Sequence, residues 1–224
     1  MRMFRKVLTA AALLVTVTFL TGVSVWIFRG RILVAAVRMS AGQDMSFASW
    51  SGNPFMENTF RSLSLMSPVG QNGIKADEAI IQIDLKASIS NKYLVFRCLM
   101  SNVKVVSSID DLPGHEDVMS MPFSSGKAYD EVAFLCEAGS DFVRVSDFRA
   151  ASQDIIVSGG VSFSEENQMI DIDAKISFSP LFAGTMPEEL RERVLSPEKD
   201  GWFSTQITYK GNVALLKALY SMAV

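Results

Sequence analysis

Few side chains in this 224-residue chain have the types and spacing for covalent chemistry. Two S-x-x-K strings, Ser101 to Lys104 and Ser124 to Lys127, have the spacing at which a lysine amine can activate a serine hydroxyl. Neither is accompanied by S-D-N or K-T-G, and four-residue matches of this kind arise by chance. The first falls in an expected strand and the second in an expected loop. The only histidine, His115, lies beside Glu116 and Asp117. With no second His or Cys cluster near it, metal binding is not expected, and Ser-His or Cys-His catalysis would have to run from that loop. No G-x-S-x-G, Walker, G-x-G-x-x-G or H-E-x-x-H string occurs. Asp171 and Asp173 share the wet face of an expected strand, where solvated ion pairing is the ordinary role. The expectation is a protein that is not an enzyme and carries no cofactor or metal.

Cys98 and Cys136 leave two readings open. Each closes a period-2 apolar run, Cys98 after Leu94 and Phe96, and Cys136 after Val132 and Phe134. In an oxidising compartment a bridge between them would close a loop of about 38 residues and contribute on the order of 3 to 4 kcal/mol. The alternative is two buried thiols on an oily face.

Charge is divided along the chain. Residues 1–38 hold six of the 21 basic groups (Arg2, Arg5, Lys6, Arg29, Arg31, Arg38) and none of the 24 acids. Residues 39–224 therefore carry 15 basic against 24 acidic groups, a net of −9. So acidic a body is a poor nucleic-acid partner, because phosphate binding relies on Lys and Arg.

The basic stretch surrounds Val7 to Phe28, 22 residues without a charge. As a helix this is about 33 Å long, enough to span a bilayer core. A cleaved signal peptide is the alternative, but the segment ends on Trp26, Ile27, Phe28 and Arg29 and lacks a small-residue cleavage pattern. A single-pass anchor is expected, with the N-terminus cytoplasmic and the body exported. Ile32, Leu33, Ala35, Ala36 and Val37 extend the helical pattern, which is expected to dock on the body before Gly42 ends it.

From Met45 onward the pattern changes to period 2. Ile81, Ile83, Leu85 and Ala87 alternate with Gln82, Asp84 and Lys86; Ile170, Ile172, Ala174, Ile176 and Phe178 alternate with Asp171, Asp173, Lys175 and Ser177. Weaker strand signals cover 46–50, 60–65, 93–107, 131–136, 141–148, 155–163 and 202–209. Asn91, Gly159-Gly160 and Glu165-Glu166-Asn167 supply turn residues. Eight or nine consecutive strands predict an antiparallel meander. Residues 107–128 lack periodicity and predict a long loop. Thr185-Met186-Pro187-Glu188 has capping-box spacing and predicts a short helix, with Met186, Leu190 and Val194 on one face, that caps the sheet. After Gly211-Asn212 comes VALLKALYSMAV, too short to span a bilayer and so apolar that a buried helix is expected. The expected division is thus 1–42 for the tail, anchor and extension, 43–212 for the β-rich body, and 213–224 for the C-terminal helix.

The layout of anchor, G-N-P-F (Gly52 to Phe55), RSLSLMSPVG, IKADEAIIQIDLKASISNKYLVFRCLMSNVKV, IDIDAKISFSP, PEELRERVL and DGWFSTQITYKGN resembles the AsmA-like family of envelope proteins. The resemblance covers most of residues 20–220. The type II secretion component GspN and the lipopolysaccharide-transport protein LptC have a similar layout. The resemblance implies a mainly β, twisted, taco-like groove whose apolar concave face holds lipid acyl chains, in an inner-membrane protein with a periplasmic body. Ile81, Ile83, Leu85, Ile170, Ile172, Ile176 and Phe178 would then line the groove. A closed sandwich core built from the same residues is the alternative. Functionally the implied role is lipid binding or transport in envelope biogenesis, with membrane phospholipid or glycolipid as the partner. The other reading is a structural or adaptor subunit of a secretion or envelope assembly, contacting protein partners through the C-terminal helix and the long loop.

Overall fold

The computed structural model describes residues 42–53, 56–68, 72–106, 126–198 and 200–213, together with Val34, Ala35 and Arg38. The expected membrane anchor, most of the 107–128 loop with His115 and Ser124, and residues 214–224 lie outside the described residues. Among the described residues no helix is long and apolar enough to cross a membrane.

One antiparallel sheet dominates. Its strands are β1 (Asp44–Ser46), β2 (Ser49–Gly52), β3 (Glu57–Met66), β4 (Gly73–Ile83), β5 (Leu94–Val106), β6 (Ala128–Ala138), β7 (Phe142–Ala151), β8 (Ile155–Ser164), β9 (Met169–Phe178), β10 (Ser196–Pro197) and β11 (Phe203–Asn212). The order is β1-β3-β4-β5-β6-β7-β8-β9-β11-β10, with β2 beside β1 along β3, and the sheet does not close into a barrel. From β3 to β9 every strand pairs with the next in sequence, as the meander expectation required. Among the described residues, short helices accompany it at α1 (Leu85–Asn91), α2 (Pro180–Ala183) and α3 (Glu188–Val194).

Local chemistry explains where elements stop. The alternation of the best sequence signal runs through Ala87, but β4 ends at Ile83. Asp84 turns the chain by accepting a hydrogen bond from the Ala87 amide (2.8 Å), which starts α1 at Leu85. Leu85 is therefore a helix residue and not a strand residue. Ser179 does the same after β9, accepting from the Phe182 amide (3.2 Å) at the start of α2. The expected capping box at Thr185 does not form. Pro187 is the N-cap of α3, and Thr185 donates instead to the Phe182 carbonyl (2.7 Å). Acids Glu188 and Glu189 still open α3 and Arg191 and Arg193 close it, matching the helix dipole. Gly159-Gly160 is not a turn but the middle of β8. Gly159 has φ +142°, and a Cβ there would sit 2.1 Å from the Asp173 carbonyl oxygen of β9.

The strands curve about several local irregularities. Ser62 on β3, Asn102 on β5 and Asp147 on β7 have φ of +52°, +50° and +52°, and the β7 register slips between Val145 and Phe148. Extra residues of this kind bend a strand and increase its twist. On β3 the buried residues change parity across Ser62, from Asn58 and Phe60 to Leu63.

Candidate functional site

Following the register across the sheet sorts the apolar face into rows. Phe60, Ala79, Met100, Val132, Ala150, Val157 and Ile176 lie side by side on β3 to β9. All are buried, Ala79 and Ile176 completely. The next row towards the C-terminal end of β9 includes Leu63, Ala76, Val103, Tyr129, Ile155 and Phe178, again all buried. This is the sealed end. The α2–α3 segment follows directly from Phe178 and closes it: Phe182 stacks on Phe178 at 5.7 Å and 10°, and Ala183, Met186 and Leu195 join the same core. Val34 also packs against this core, and Arg38 pairs with Asp44 at the start of β1 (3.2 Å).

Towards the other end of the strands the same face opens. Ile83, Phe96, Val145, Val161, Ile172 and Tyr209 occupy one row across β4 to β11, with Cys136 between Phe96 and Val145. All are half-buried except Cys136, which is buried. One step further, Leu94 and Val143 are both 43% exposed, and Phe163 and Ile170 are half-buried. The apolar face is thus buried towards one end of the strands and half-buried towards the other.

The residues singled out from sequence divide between the two ends. Ile176 and Phe178 are in the plug. Ile81, Ile83, Ile170 and Ile172 stand on the open, half-buried part of the face. Leu85, on α1, has left the sheet. Sequence reading missed Phe96, Phe134, Val161, Phe163 and Tyr209 as members of the same surface, although period-2 counting along β5, β6, β8 and β11 points to each of them.

Cys98 and Cys136 are free, buried thiols. Cys98 stands opposite Phe134 and Cys136 opposite Phe96, so the two are diagonal neighbours on β5 and β6. Burial, with a smaller contribution from Cys136, pushes the Cys98 thiol up to about 12. Burial, and then the Glu137 carboxylate, raises Cys136 as well. Groups held so firmly as thiols are poor nucleophiles and poor metal ligands. Tyr129 is likewise raised to about 12 by burial.

The opposite face is wet and paired. Lys210 meets Asp171 (3.2 Å), Gln206 donates to Asp173 (3.0 Å) and Lys175 meets Glu198 (2.6 Å). Hydrogen bonds from Lys175 and Ser204 hold the Glu198 carboxyl below its ordinary range. Asp171 thus has a cationic partner and Asp173 a neutral hydrogen-bond donor. Among the described residues no group of three or more His, Cys, Asp or Glu side chains is placed to hold a metal.

Fold and site together define a mainly β protein built on one open antiparallel sheet, with an extended apolar face. No family model, no curated protein and no solved structure matches the chain.

Proposed function

We propose that this protein binds or conducts lipid through the open half of its apolar trough, as a membrane-anchored envelope protein whose body is exported. The observation that carries the reading is the half-buried surface of Ile81, Ile83, Phe96, Ile172 and Tyr209. It is continuous with the core, yet no described layer of the fold covers it. An acyl chain laid along it gains roughly 0.8 kcal/mol for each methylene removed from water. The head group stays at the open end, where Arg144 and Lys210 stand beside Glu137 and Asp171. The step is passive burial and release, without bond making. The Cys98 and Cys136 thiols sit in the trough as apolar lining. The anchor and the exported location rest on Val7 to Phe28 and its flanking charges.

The test uses the full-length chain, extracted with its surrounding membrane and analysed by native mass spectrometry and lipid extraction. Lipid should co-purify, and Ile172→Asp should remove most of it while circular dichroism stays unchanged. Ile172→Ala gives a milder version should the charge unfold the protein. A folded chain that carries no lipid, or lipid retained unchanged in both variants, would sink the reading.

A further inference from the structure

A second exposed apolar surface lies outside the trough, where α1 projects from the open end. Ile89 is 77% exposed, Met56 61% and Leu85 41%. Leu85 and Ile89 are four residues apart and so share one face of α1. Ser88, elsewhere on the helix, is fixed to β5 by accepting from the Val95 amide (2.9 Å). Beneath α1 is a hollow of about 500 Å³ lined by Met56, Ile83, Leu85, Val95, Arg97 and Leu135, among others. By contrast Leu181, 81% exposed at the sealed end, is among the described residues the one large apolar side chain exposed there, and scattered single apolar residues are ordinary on protein surfaces.

Basic residues outnumber acidic ones around this patch. Lys86, Lys92 and Arg97 flank it, all exposed, and among the described residues none of them forms an ion pair. Two carboxylates line the same hollow, Asp84, which caps α1, and Glu57, which accepts from Gln82 (2.5 Å), so the three cations exceed them by one. On the opposite flank of the same end the balance reverses. Beyond Glu137, which stands opposite Val95 and is paired with Arg144, lie Asp141, Glu165, Glu166 and Asp171, with Lys210 paired to Asp171.

We propose that the α1 side of the open end docks onto an anionic lipid surface. Met56, Leu85 and Ile89 enter the boundary of the acyl layer, and Lys86, Lys92 and Arg97 meet phosphate head groups. Aliphatic side chains standing out from a short helix, flanked by an excess of cations over carboxylates, suit a soft anionic layer into which they can sink. The acidic flank is repelled, so the contact has one orientation. Docking here also sets the mouth of the trough against lipid. That consequence rests on the proposed lipid-binding role, but the contact itself does not.

The test uses the full-length chain in phosphatidylcholine nanodiscs, floated with vesicles of phosphatidylcholine alone or enriched in phosphatidylglycerol. Capture of the anionic vesicles should exceed that of neutral ones about tenfold and fall at high salt. Lys86→Glu with Lys92→Glu should erase the preference, and Ile89→Asp should reduce capture of both kinds. These positions are exposed, so folding is preserved. Equal capture of the two vesicle types, or variants that bind like the parent, overturns the proposal. So does a surface that ignores pure lipid and takes only protein-bearing membranes. Ile172→Asp separates the two readings: it should lower co-purified lipid and leave vesicle capture intact. Capture that persists in a lipid-free chain would remove the trough's role and leave the docking surface standing.

Discussion

Ile172 and Ile176 stand on the same strand and the same face, four residues apart, and have different fates. Ile176 is completely buried and Ile172 is not. Nothing intrinsic to β9 makes the difference, since the alternation is uniform from Ile170 to Phe178. The difference lies in what the chain does next. Beyond Phe178, Ser179 caps a helix that folds back with Phe182, Ala183 and Met186 over one end of the sheet. No described segment does so over the other end. Alternation therefore specifies an apolar face, and only the flanking connections decide whether protein covers it.

Truncating the plug separates the two ends most directly. Phe178→Ala should cost about 3 to 5 kcal/mol of stability, as deletion of a buried aromatic does, measured by denaturant unfolding. A loss of only about 1 kcal/mol would mean that the end is not sealed. Gly159 lies where the face passes from buried to open, and its φ of +142° and contact with the Asp173 carbonyl leave no room for a methyl group. Gly159→Ala should cost about 2 to 3 kcal/mol through strain and displacement of β9, read as a lowered Tm.

The buried thiol and phenol provide a pH test. Folding holds Cys98 protonated up to about 12 instead of 9.0, and Tyr129 up to about 12 instead of 10.0. Above about pH 9 the unfolded chain releases these protons first, so stability should fall with rising pH, by up to about 1.4 kcal/mol per pH unit for each group. Below that range both groups contribute nothing to the slope. Denaturant midpoints at mildly and strongly alkaline pH should show the fall, and Cys98→Ala should flatten it. An unchanged slope in that variant would place Cys98 in contact with water. Ser179→Ala removes the cap that launches the plug and should cost about 1 kcal/mol. The smallest effect belongs to the open end: Ile172→Ala should change lipid-free stability by less than about 1 kcal/mol, because its side chain is already partly in water. A cost equal to that at Phe178 would erase the distinction between the ends.

Much of the sheet was legible, because period-2 patterning marks strands whatever covers them. The meander order also followed from short, turn-rich connections. Boundaries were less so. Asp84 reads as one more polar alternate, so the pattern carries Leu85 onto the sheet, but its carboxylate caps a helix and takes Leu85 off it. Thr185 has the spacing of a cap but is drawn to the Phe182 carbonyl. Gly159-Gly160 has the composition of a turn, yet it serves a close approach between β8 and β9. The candidate site was legible as a set of residues and not as a shape. The division of Ile81, Ile83, Ile170 and Ile172 from Ile176 and Phe178 depends on long-range packing that no local pattern encodes.

The direction of the chain has a further consequence. Val34 and Asp44 belong to the sealed end, while β11 runs the length of the sheet and delivers Asn212 to the open end. At about 3.3 Å per residue the ten-residue β9 measures roughly 30 Å from end to end. Whatever holds the chain before Val34 and whatever meets α1 are thus kept roughly that far apart by hydrogen-bonded backbone. The sheet is then a stiff spacer as well as a surface. Lengthening every strand by one pleat would move its two attachments apart without altering either of them.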